Sequence, residues 1–275
     1  MPGEEKDLPL IIEPQALAER LDDPSLLIID VPASAQSYRD GHVPGALFLD
    51  HRRLLSGRPP VANDVPDEQA LSALFSSLGL TPERHVVLYD DEGGGWAGRL
   101  AWTLSLIGHE RWSWLNGGIH AWRAEGLPTS SEETPPEPSD YRASIERPEL
   151  AIDREELMAR LGEQALAIWD ARSPEEYNGE KGQNQRLGHI PGAVNFEWTE
   201  LMDRERQLRL RDLSQLMVEL EAMGLGADRE IVTHCQSHHR SGLSWMLGHA
   251  LGYNIRAYPG SWQEWGNRDD TPIEQ

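Results

Sequence analysis

Three landmarks recur in the same order along this chain, at a nearly constant separation of about 145 residues. His42-Val43-Pro44-Gly45-Ala46 returns as His189-Ile190-Pro191-Gly192-Ala193. The apolar run ending at Asp90 returns as the run ending at Cys235, and Gly117-Gly118-Ile119-His120-Ala121-Trp122 has its counterpart in Gly260-Ser261-Trp262-Gln263-Glu264-Trp265. A chain built this way folds as two copies of one unit. In the first, residues 26–31, 85–89 and 111–115 read as short apolar strands. Residues 68–78 carry Leu71, Leu74, Phe75 and Leu78 at helical spacing, and residues 96–107 form a mostly apolar helix. The second repeats this with strands over 166–170, 230–233 and 254–258 and helices over 213–223 and 241–251. Strands alternating with helices predict an α/β fold, two similar domains each with a parallel sheet and helices on both faces. Ligands bind such sheets at the carboxyl ends of strands. Prolines at 128, 135, 136, 138 and 148 mark residues 128–148 as an extended linker between domains at 8–127 and 149–272.

The stretch His234-Cys235-Gln236-Ser237-His238-His239-Arg240-Ser241-Gly242 stands at one of those carboxyl ends. Cys235 is the chain's one cysteine. The spacing places its thiol in a tight loop between a strand and a helix carrying Leu243, Met246, Leu247 and Ala250 on one stripe, with Ser241 at its start and Gly252 past its end. Free helix amides and the helix dipole favour an anion there, which suits both a reactive thiolate and an anionic substrate. Arg240, His238 and His239 add cationic character. The other unit is an internal control. It has Asp90 at the equivalent position, followed by Asp91 and Glu92, and a carboxylate carries no transferable sulfur. The glycines that follow, Gly93 to Gly95, lack the pattern of a nucleotide-binding loop.

This nine-residue loop closely resembles the active loop of bacterial two-domain rhodaneses, which carry a persulfide on one cysteine. The resemblance extends over nearly the whole chain and implies two similar α/β domains, the second alone being catalytic. It implies that Cys235 attacks the outer sulfur of a small anionic donor such as thiosulfate and passes it to cyanide or a thiol, with no metal or organic cofactor. Gln236, Ser237, His238, His239, Arg240, Arg172 and Arg186 are the expected substrate contacts, with Lys181 a further candidate. Asp170, Ser241 and Gly242 are expected to support the loop, and Arg240 either meets the donor or braces the loop. Related phosphatases enclose five residues between cysteine and arginine; here Gln236 to His239 are four, a ring better sized for one extra sulfur. Relatives acting on 3-mercaptopyruvate have an arginine where this chain has Glu176, and a Cys-Gly-Ser-Gly type loop, so that donor is the runner-up. A persulfide carrier serving a sulfur-acceptor protein is the alternative of a different class.

Composition bounds the remaining choices. A net charge of −21 argues against nucleic-acid binding. No apolar run is long enough to span a membrane. The acidic start is unlike a secretory signal, and one cysteine leaves no intramolecular disulfide, which together predict a cytoplasmic protein. His42 and His189 occur in both units and read as parts of a structural turn. The tryptophans, Trp96, Trp102, Trp112, Trp114, Trp122, Trp245, Trp262 and Trp265 among them, read as core and domain-interface packing, with Trp262 or Trp265 candidates to line the pocket.

Overall fold

The computed structural model describes residues 8–58 and 61–275; the acidic start, residues 1–7, lies outside the described residues. Each repeat forms its own sheet. The first has five parallel strands in the spatial order Ile11–Ile12, Trp112–Leu115, His85–Tyr89, Leu26–Asp30, Leu47–Phe48. The second has four in the order Ile255–Ala257, Glu230–His234, Leu166–Asp170, Ala193–Asn195, all parallel. A parallel bridge from Ala151 to Ala257 stands where Ile11–Ile12 does in the first sheet. Central strands such as His85–Tyr89 and Leu166–Asp170 are buried along their whole length, as parallel sheets covered on both faces require.

The repeated His-x-Pro-Gly turns do the same structural work in each domain. His42 stacks on Tyr38 at 3.7 Å and bonds its carbonyl through Nδ1 at 2.8 Å. His189 does likewise with Tyr177, at 3.7 and 2.9 Å.

The two domains meet through equivalent helices, Gly95–Leu106 and Arg240–Ala250. They touch backbone to backbone because glycines meet at the crossing. A methyl group on Gly242 would lie 2.5 Å from the Gly95 carbonyl oxygen and 2.6 Å from the Arg99 nitrogen, and one on Gly98 would overlap the Gly242 carbonyl. The Arg240–Ala250 helix is therefore buried almost all round, from Ser241 to Gly248, rather than along a single stripe. The largest apolar cluster runs through this contact and joins residues of both domains, Leu100, Trp102 and Trp112 with Leu243, Trp245 and Met246. A hairpin absent from the sequence reading, Met202–Asp203 with Arg209–Leu210, reaches across to the first domain. There Arg209 pairs with Glu13 and Glu125, and the Asn116 side chain accepts the Leu210 amide at 2.9 Å.

Residues 128–148 run extended, with Ser139 and Ala143 bonded to the Glu68–Ser77 helix and its C-terminal turn.

Candidate active site

The Glu230–His234 strand ends one residue before Cys235, and the Arg240–Ala250 helix begins five residues after it. His239 is the helix N-cap, and its side chain accepts no amide. Ser241, expected at the helix start, instead lies inside the first turn. Turning the chain this sharply places His238 at φ 54°, a left-handed conformation that non-glycine residues adopt at a cost of about 1 kcal/mol. Ser261 is likewise at φ 53°, and its hydroxyl accepts the Cys235 amide at 3.5 Å. The Trp262 amide donates to the Cys235 carbonyl at 3.0 Å, and the Gln263 amide to that of Gln236 at 2.9 Å. The segment Ser261 to Gln263 thus fixes the loop through one hydroxyl and two backbone amides.

Cys235 is fully buried. One side of it joins the apolar core; the other faces the amides of Ser237 and Ser241 and the Ser241 hydroxyl. Burial pushes the thiol up, but the Arg240 charge together with those hydroxyl and amide donors holds it below the ordinary cysteine value. The first domain shows the same cradle filled. The Asp90 carboxylate, fully buried, accepts the amides of Glu92, Gly93, Gly94 and Ala97 at 2.8 to 3.1 Å. In both domains the loop donors gather on the residue at this position, a carboxyl pushed up by its burial in the first and a sulfur in the second.

Side chains expected to meet a donor divide into two groups. Arg240 stays at the loop, but both terminal nitrogens are held by Glu176, at 2.6 and 2.9 Å. Its charge reaches the thiol while its hydrogen bonds go to the carboxylate. Gln236 bonds Asn184 at 2.8 Å, and Asn184 in turn donates to the Trp262 carbonyl, so residues 178–187, which have no counterpart in the first domain, are stitched to the loop. Ser237 is half-buried at the thiol. His239 lies at the domain boundary, its Nε2 2.8 Å from Glu92 and its ring stacked 4.2 Å from Trp96, which stacks in turn on His51.

Three expected contacts lie elsewhere. His238 is fully buried and turned inward, bonding Ser241 at 2.8 Å and standing perpendicular to Trp102 with ring centroids 4.6 Å apart. Burial, with the Arg99 and His239 charges, pushes it well below the ordinary histidine range, so it brings no charge to a donor. Arg172 is 1% exposed; it forks onto Asp170 at 2.6 to 3.1 Å, bonds the Gly188 carbonyl and lies over Trp262 at 4.5 Å. Asp170 accordingly supports the strand end through Arg172 and accepts no amide from the Cys235 loop. Arg186 bonds the carbonyls of Trp265 and Thr271 and the Thr271 hydroxyl, and Lys181 is exposed in its loop. Trp262 and Trp265 are core residues. Sequence reasoning missed Glu92, Asn184 and Trp198. The last approaches His239 at 5.6 Å and covers Gly95. Glu92 was signalled by its place in the equivalent loop, which the pseudo-symmetric contact brings opposite His239.

The sequence profile of the Rhodanese-like domain matches this chain twice, over residues 13–125 and 153–268. The chain belongs to the rhodanese-like family. This rhodanese is 50% identical over 268 residues to a thiosulfate sulfurtransferase of Azotobacter vinelandii, covering 97% of each chain. It is 47% identical to a thiosulfate sulfurtransferase of Pseudomonas aeruginosa, covering 98% of each. Its fold also matches the anaerobic ergothioneine biosynthesis enzyme from Chlorobium limicola, with a TM-score of 0.87 at 21% identity over 97% of this chain and 70% of that one. The last likeness concerns the fold alone.

Proposed function

We propose that this rhodanese is a thiosulfate sulfurtransferase that carries sulfur on Cys235. The Sγ thiolate attacks the outer sulfur of thiosulfate; the bond to the central sulfur breaks, and its electron pair leaves with sulfite. The new persulfide lies among the amides of Ser237 and Ser241, which stabilise its charge. Cyanide or a thiolate then attacks the outer sulfur, and the thiolate of Cys235 is released. Two covalent half-reactions give ping-pong kinetics. The observation that carries this reading is a thiol whose acidity is raised by Arg240 and the loop donors, in a cradle whose twin, in the other domain, is filled by a carboxylate.

Two features select among sulfur donors and acceptors. Glu176 stands beside the loop in place of the arginine found in relatives acting on 3-mercaptopyruvate, and it engages both terminal nitrogens of Arg240, so no cation is offered to that donor's carboxylate there. The full burial of Cys235 favours small donors and acceptors over a partner protein. A lone reduced thiol fits the cytoplasm. In a thiosulfate:cyanide assay, Cys235→Ala loses turnover completely, and the unsubstituted protein has a higher kcat/KM for thiosulfate than for 3-mercaptopyruvate. Turnover surviving in Cys235→Ala contradicts the proposal.

A further inference from the structure

Arg99 belongs to the domain that has no cysteine, and its guanidinium is fully buried. One terminal nitrogen donates to the carbonyls of Leu54 and Asn63, at 2.9 and 3.0 Å. The other terminal nitrogen and Nε have no hydrogen-bond partner, and no carboxylate among the described residues lies within ion-pair distance. A buried cation left in this state is costly unless an anion nearby compensates it.

The fold carries this cation beneath the Cys235 loop. Arg99 follows Gly98 at the helix crossing, and its backbone nitrogen lies against Gly242. Its guanidinium sits 4.7 Å over the Trp102 ring, the same indole that stands at right angles to the His238 ring from the loop. Asn63, which accepts from Arg99 through its carbonyl, sends its side-chain amide to the carbonyls of Pro259 and Gly260, just before the serine that holds the Cys235 amide.

The other charges around the thiol are already matched. Arg240 is paired with Glu176, Arg172 with Asp170, and His239 with Glu92. His234 and His238 are driven toward neutrality by burial. Half-buried Asp64 and, to a smaller extent, Cys235 act on Arg99 through space, neither in ion-pair contact with it. Arg240, the principal cation at the thiol, shares its charge with Glu176, whereas Arg99 has no ion-pair partner among the described residues. We propose that Arg99 is a positioning residue for Cys235, supplying from the cysteine-free domain a second buried positive charge, beside that of Arg240, that favours the anionic form of the nucleophile and then of its persulfide. Burial pulls Arg99 down to about 10, while Asp64 and Cys235 hold it up, so it remains charged at neutral pH. The first domain is then part of the active site.

The inference rests on Cys235 being the sulfur-carrying thiol, but its test needs no sulfur donor. The sole cysteine allows its ionisation to be read from the pH dependence of alkylation by iodoacetamide. Arg99→Gln raises the apparent thiol pKa by about one unit and slows alkylation about tenfold at pH values below the wild-type pKa. Arg99→Lys, which keeps the charge, restores the wild-type curve. An unshifted curve in folded Arg99→Gln overturns the inference, whatever the transfer assay gives. Should Arg99→Gln not fold, the unsubstituted protein decides. The Arg99 Nε–H resonance, assigned by its loss in Arg99→Lys, moves with pH at the pKa found by alkylation; a resonance flat through that range overturns the inference. Loss of sulfur transfer with wild-type ionisation behaviour counts against the proposed reaction and leaves Arg99 in place.

Discussion

Where Cys235 stands in the second domain, Asp90 stands in the first, its carboxylate accepting four amides of its own loop. The comparison separates what the loop does, which is to gather donors on one residue, from what cysteine adds, which is a transferable bond. Glu176 tests the electrostatics of this arrangement. Burial raises its carboxyl, but bonding to Arg240 outweighs that and leaves it below the usual range. A lowered folded-state pKa stabilises above the unfolded value, and the benefit is lost as pH falls through the folded value. Glu176→Gln is expected to cost about 1–3 kcal/mol near neutral pH, between the values for exposed and buried pairs. The deficit shrinks in acid, as urea denaturation at two pH values would show. The same change leaves Arg240 with the thiolate as its anion, so Cys235 becomes more acidic and alkylates faster at low pH. At this scale the sequence revealed the nucleophile and its donors but not the partners of every arginine. Asp170, two residues before Arg172, was a legible partner for it, but Arg186 looked free because Thr271 and Trp265, which hold it, are about 80 residues away in sequence.

The crossing of Gly95–Leu106 with Arg240–Ala250 is where two elements make one molecule. Gly98 lets the backbones touch, and a methyl there meets main chain that has no room to give. Gly98→Ala should destabilise the protein by about 2–3 kcal/mol, read as a lowered Tm, and move the loop that the second helix anchors. An unchanged Tm would mean that the helices separate without cost. Long strands and helices were legible in the sequence because their apolar periodicity is strong, and observed ends differ from the expected ones by about a residue. Two-residue edge strands such as Ile11–Ile12, and the Met202–Asp203 hairpin, were not. Such short pieces have no periodicity of their own and exist through the neighbours they pair with. Nor did helical spacing show that the Arg240–Ala250 helix is buried on nearly every side, since its second burying surface is the other repeat.

Over the whole molecule, a net charge of −21 surrounds a site that reads as built for an anionic donor. The long-range field opposes the approach of thiosulfate, while Arg240 and the loop amides act only at short range. Salt screens the first more than the second. Raising the ionic strength from about 0.01 to 0.15 M is therefore expected to increase kcat/KM for thiosulfate, the reverse of electrostatic steering. A fall would mean that local cations dominate the field well outside the loop. The two-domain plan was legible from the repeat, and the family match covers both units. That the cysteine-free domain contributes Glu92 and Arg99 to the neighbourhood of the nucleophile was not, because contacts between repeats leave no periodic trace in either one. The central claim is that one sulfur atom rests covalently on Cys235 during turnover. Intact mass spectrometry of the protein after exposure to thiosulfate and removal of excess donor tests it directly. The expected result is a gain of one sulfur atom, located by peptide mapping to Cys235, removed by cyanide and absent from Cys235→Ala; an unchanged mass in protein that still turns over thiosulfate would contradict it.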